Sequence, residues 1–198
     1  MNLETLRTLD LGRPLGVPLR IHVSGVAVLT ATNAAAGLLL CRVARPEWSL
    51  AIGLLAALAV ALLLLLSAVA HEYAHLLVAL RTGRPVGALI LTMFGGCIMT
   101  DIADESPDGL RASATMIAAG PAASLALALG FMLLANLLRE SAPAPAFVSF
   151  AVGQLNFVLL ALNLLPVHPL DGGRLLALAR QAWAASAAQR PAVTPAQD

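Results

Sequence analysis

His71 and His75 stand four residues apart with Glu72 between them, in the pentapeptide His71-Glu72-Tyr73-Ala74-His75. On a helix this spacing puts both imidazoles on one face, one turn apart, where both can reach a single ion. The intervening carboxylate can then work on a metal-bound water. Before the motif, from Ser49 to Ala70, no residue is charged. Ionisable groups at membrane depth are expensive, so their presence there is a functional-site hypothesis by default. These residue types at this spacing point to metal-dependent hydrolysis inside a bilayer.

The rest of the chain agrees with a membrane setting. It is 59% hydrophobic and only 12% charged, with a mean hydropathy of +0.84. A soluble domain is about one quarter charged. A net charge of +1 gives no electrostatic footprint for nucleic acid. Cys41 and Cys97 make neither a disulfide framework nor a zinc knuckle and read as small hydrophobes.

Four segments approach the roughly 20 apolar residues that cross a bilayer. They are Val23–Cys41, Leu50–Leu80 with the motif near its end, Ala112–Leu138 and Ala146–Leu165. Val86–Thr100, with Gly95 and Gly96 at its centre, reads as a short membrane-associated β-hairpin or bent strand. Leu175–Ala188 reads as a short C-terminal helix. The fold class expected is an all-α polytopic membrane protein, with residues 1–188 as one core domain and 189–198 as a flexible tail. Arg7, Arg13, Arg20, Arg81, Arg84, Arg111, Arg174, Arg180 and Arg190 fall on one side of these spans; Arg42, Arg45 and Arg139 fall on the other. The positive-inside rule then puts both termini in the cytoplasm and the motif nearer that face. Trp48 sits where an interfacial anchor belongs.

A catalytic zinc site needs a third protein ligand and an open position. His22, His168, Asp101, Asp104, Glu105, Asp108 and Asp171 are the candidates. Asp171 stands out through its setting, Asn163-Leu-Leu-Pro166-Val-His168-Pro169-Leu-Asp171-Gly172-Gly173. Its two prolines and two glycines break a helix at membrane depth, which is tolerated where the backbone is buried in protein or lines a cavity. The bland alternative for Asp171 is a helix N-cap. Asp101, Asp104, Glu105 and Asp108 read as a solvated acidic loop, and His22 as structural.

Together, H-E-x-x-H on the second span and N-x-x-P-x-x-x-L-D-G on a later one resemble the site-2 protease family of intramembrane zinc metalloproteases. Phe94-Gly95-Gly96 resembles that family's membrane-associated strand region. Gly120-Pro121-Ala122-Ala123-Ser124 resembles its G-P-x-x-N/S element, for which packing or a helix kink is the bland reading. The resemblance covers roughly residues 20 to 180. It implies one zinc ion per chain held by His71, His75 and Asp171, with Glu72 as the catalytic glutamate. It implies that Asn163 holds substrate near the metal, where the rival reading is interhelical hydrogen bonding. Gly95 and Gly96 would help bind an extended substrate by strand addition. The implied partners are a transmembrane-helix protein substrate and the lipid bilayer, and the implied setting is a bacterial plasma membrane.

Relatives often have about six spans, so a homodimer or a partner subunit could supply missing helices. No PDZ domain fits between His75 and Asp171, and no CBS domain is expected. Two other function classes compete. One is a catalytically silent scaffold that binds membrane helices; the other is a small metal transporter. An intact Glu72 beside a full ligand set favours hydrolysis over both.

Overall fold

The computed structural model describes residues 8–10, 12–84, 86–92, 95–100 and 106–188. The tail 189–198, Phe94, and Asp101, Asp104 and Glu105 of the acidic stretch lie outside the described residues.

Five helices dominate: α1 (Val23–Ala44), α2 (Leu50–Arg81), α3 (Pro107–Leu138), α4 (Pro143–Asn163) and α5 (Asp171–Ala188). Their starts follow local chemistry. The Ser49 hydroxyl caps α2 by accepting from the Ile52 amide at 3.4 Å. Ser106 caps α3 through the Gly109 amide at 3.0 Å, with Pro107 in the first turn. α2 is 32 residues long. At 1.5 Å per residue that is roughly 48 Å, well beyond a hydrocarbon core of about 30 Å. One helix therefore has room for an apolar half and a polar end.

Among the described residues, three helices are long and apolar enough to cross a membrane: α2, most of α3, and α4. Their exposed side chains include Leu54, Leu55, Leu58 and Leu62 on α2, Leu129, Leu133 and Leu137 on α3, and Val158 and Leu162 on α4. An apolar surface of this kind suits lipid rather than water. This is a membrane protein. The first expected span, Val23–Cys41, falls within α1, where Gly37 abuts Ala57 and Leu38 lies near Gly53. Those pairings run α1 antiparallel to α2.

Two elements differ from expectation. The hairpin is part of a four-stranded sheet in the order β1 (Thr8–Asp10), β2 (Leu19–His22), β3 (Val86–Thr92), β4 (Gly95–Thr100). β3 and β4 pair antiparallel as expected, with Leu91 opposite Gly96 and Thr92 opposite Gly95. β2 joins β3 in parallel, Leu19 opposite Leu89, and β1 pairs antiparallel with β2. Strands of three and four residues carry too little alternation to be read from sequence. The second difference is α5, which begins at Asp171 rather than Leu175. Its first turn packs so tightly on the preceding loop that a Cβ on Gly172 would overlap the Leu164 carbonyl, and one on Gly173 the Val167 carbonyl. Glycines that weaken a helix by propensity here allow it to start.

Three buried clusters hold the bundle. Cys41, Ala56, Val60, Phe147 and Val152 pack where α1, α2 and α4 meet, with Trp48 edge-on to Phe147 at 5.3 Å. Val17, Leu19, Leu76 and Leu89 seat the sheet against α2, with Val69 and Tyr73 beside them. Ala79, Met116, Ile117 and Leu178 lock α2, α3 and α5 together.

Candidate metal centre

The sequence spacing on α2 is realised in space. His71, Glu72 and His75 are all buried, in the last third of a helix built mostly from alanine and leucine. Asp171, the first residue of α5, is also buried and faces both histidines. Its Oδ2 lies 3.1 Å from His71 Nε2 and 3.3 Å from His75 Nε2, and the two Nε2 atoms are 3.2 Å apart. Four ligands around zinc at about 2.0–2.1 Å stand roughly 3.3 Å from one another. The three atoms already have that spacing.

The outer ring nitrogens are also held. His75 Nδ1 lies 2.8 Å from the Met116 carbonyl oxygen. A carbonyl only accepts, so Nδ1 carries the proton and neutral His75 turns a lone pair inward at Nε2. His71 Nδ1 is 2.8 Å from the Ser124 hydroxyl, which is fully buried. Asp171 Oδ1 faces the Arg174 guanidinium at 3.5 Å.

α3 leaves the inner side open. A Cβ on Gly120 would overlap Nε2 of both histidines. Only glycine leaves room for an ion at this point. Two imidazole nitrogens, a carboxylate oxygen and an uncrowded wall fit one zinc ion. Among the described residues, this trio is the cluster of His, Cys, Asp and Glu that could hold a metal.

The other expected site residues fall elsewhere. Asn163 ends α4, half-buried, and its Nδ2 donates to the Leu159 carbonyl of its own helix at 3.0 Å. Gly95 and Gly96 open β4, one of the two outer strands of the described sheet. His168 is exposed in the turn before α5, and Asp108 is exposed in the first turn of α3; neither joins the metal cluster. His22 closes β2. Sequence reasoning gave Ser124, Gly120, Arg174 and the Met116 carbonyl no part in the metal centre. Ser124 and Gly120 were visible inside the G-P-x-x-S element, and Arg174 through its three-residue spacing from Asp171. A backbone carbonyl leaves no sequence signal.

No family model matches the chain. A candidate zinc metalloprotease of Synechocystis, sll0528, is 36% identical over 165 residues, which is 83% of this chain and 42% of that protein. The candidate zinc metalloprotease Rip3 of Mycobacterium tuberculosis is 40% identical over 118 residues, 59% of this chain and 29% of that protein. Among solved structures, the site-2 protease of Methanocaldococcus jannaschii superposes with a TM-score of 0.57 at 21% identity, covering 85% of this chain and 69% of that one. The chain is thus a relative of proteins named as candidate zinc metalloproteases, and it has the fold of a site-2 protease. It spans less than half the length of the two curated relatives. The likeness to the archaeal enzyme extends over the fold, and that fold brings His71, His75 and Asp171 together from elements 100 residues apart.

Proposed function

We propose that this protein is an intramembrane zinc endopeptidase that hydrolyses peptide bonds in or near transmembrane segments of membrane proteins. The observation that carries the reading is the convergence of His71 Nε2, His75 Nε2 and Asp171 Oδ2 within 3.3 Å of one another, with the buried carboxylate of Glu72 next in sequence to His71.

His71, His75 and Asp171 would hold the zinc, while Ser124 and the Met116 carbonyl fix the ring orientations. When bound there, zinc would supply Lewis acidity for a carbonyl and a water. Glu72 takes the proton of the attacking water and later passes it to the leaving amine, restoring its own carboxylate. Asn163 Nδ2 spends one hydrogen on Leu159 and keeps a second for the substrate backbone. A substrate helix hides its peptide bonds, so it must unwind first. Among the described residues the outer edge of β4, beginning at Gly95 and Gly96, pairs with no further strand and would suit an extended segment. The arginine distribution supports a reading in which both termini face the cytoplasm, and the membrane in that reading is a bacterial plasma membrane. Water would then reach the site from the cytoplasmic face.

The test is cleavage of single-span substrates by purified protein in detergent, with wild type and Glu72→Gln side by side, each with and without a zinc chelator. Cleavage should require zinc and fall by about 10²–10⁴-fold in Glu72→Gln, the usual range for a general base, while zinc stays bound. Undiminished cleavage by Glu72→Gln would remove the proposed mechanism.

A further inference from the structure

Ser67 lies one turn before His71 on α2, so Ser67, His71 and His75 share one face of the helix. Across from Ser67 stands Asn156 of α4, fully buried beside Val152. Its Nδ2 donates to Ser67 Oγ at 3.1 Å and to the Val152 carbonyl at 2.9 Å. The Val152 carbonyl can only accept, so the amide cannot be turned over without setting two oxygens against each other. Ser67 in turn donates to the Leu63 carbonyl at 2.9 Å, so its single hydrogen is used. Asn156 Oδ1 is left buried with no protein donor among the described residues.

Such an acceptor is expensive in an apolar bundle, where no bulk water reaches it. Buried waters in proteins sit on groups of this kind, given a few polar partners. Asn156 Oδ1 and a lone pair of Ser67 Oγ supply two. Four residues of helix separate Ser67 from His71, roughly 6 Å along the axis.

We propose that Asn156 and Ser67 form an internal water site in the apolar depth of the bundle, one helical turn beyond the metal ligands. The water donates to Asn156 Oδ1 and joins α2 to α4 behind His71. Asn156 and Ser67 are positioning residues in this account, and neither touches the metal or the substrate. The site extends the proposed metal centre inward, but its occupancy depends on neither zinc nor proteolysis.

Difference infrared spectroscopy of the metal-stripped protein in lipid nanodiscs, exchanged between ordinary water and H2-18O, tests it. Removing the metal removes any signal from water at the ion. Wild type should show an O–H stretch of a sequestered water that shifts on exchange. Asn156→Leu, of similar volume, should lose the band. Ser67→Ala keeps the acceptor and should keep the band at a displaced frequency. Should Asn156→Leu not fold, wild type and Ser67→Ala still decide. No isotope-sensitive buried-water band in wild type, or the same band in wild type and Ser67→Ala, overturns the proposal. Substrate cleavage by zinc-loaded wild type, measured separately, reports on the protease reading alone.

Discussion

The two ends of α2 use one helix in different ways. Its first half, around Ala56 and Val60, packs against Cys41, Phe147 and Val152 through apolar contact alone. Its last third meets α3 and α5 through two ring nitrogens, a carboxylate, a serine hydroxyl, a main-chain carbonyl and a bare glycine. Apolar packing in a membrane tolerates exchange of similar shapes, because lipid and leucine are equally apolar. The polar end has no such freedom, since each group there is fixed by a named partner. The first end should therefore govern how stable the bundle is, and the second what it binds.

The sharpest way to break this contrast is Gly120→Ala. One added methyl group would overlap both Nε2 atoms, so zinc affinity should fall by more than about 100-fold, beyond the range seen on removing outer partners of metal ligands. Calorimetric zinc titration checks it; wild-type affinity in this variant would mean that α3 does not line the site. Ser124→Ala is the next step down. It removes the partner of His71 Nδ1 and should weaken zinc by about 10–100-fold. Asn163→Ala should leave zinc affinity alone and lower kcat/KM for a helical substrate. A loss of about 2.7–4 kcal/mol is typical when one donor to a developing oxyanion is removed. At the other end, Phe147→Ala should cost about 3 kcal/mol of packing and leave zinc affinity unchanged. Unfolding in mixed micelles, read beside a zinc titration, separates the two effects.

The same contrast explains what the sequence could and could not reveal. α2 and α4 were legible because lipid demands long uncharged runs, and that demand is written in composition. α3 was legible too, although it starts at Pro107, five residues before its apolar stretch. The two histidines were legible because their spacing matches a helical turn. Asp171 was legible through the prolines and glycines that break the chain around it. The parallel pairing of Leu19 with Leu89 was not, because it joins distant segments through a strand of four residues. Nor was the early start of α5, where close packing on Leu164 and Val167 overrides the poor helix propensity of Gly172 and Gly173. Asn163 shows a limit of another kind. Its place in the motif was plain, but its hydrogen bond to Leu159 is a matter of side-chain torsion.

The central claim is that one zinc ion is held by His71, His75 and Asp171. X-ray absorption at the zinc edge, on wild type and Asp171→Ala loaded with one equivalent, tests it most directly. The account predicts two imidazole nitrogens and oxygen donors at about 2.0–2.2 Å in wild type, and loss of tight binding in the variant. A wild-type spectrum without two imidazoles, or the same spectrum and affinity in Asp171→Ala, would contradict it.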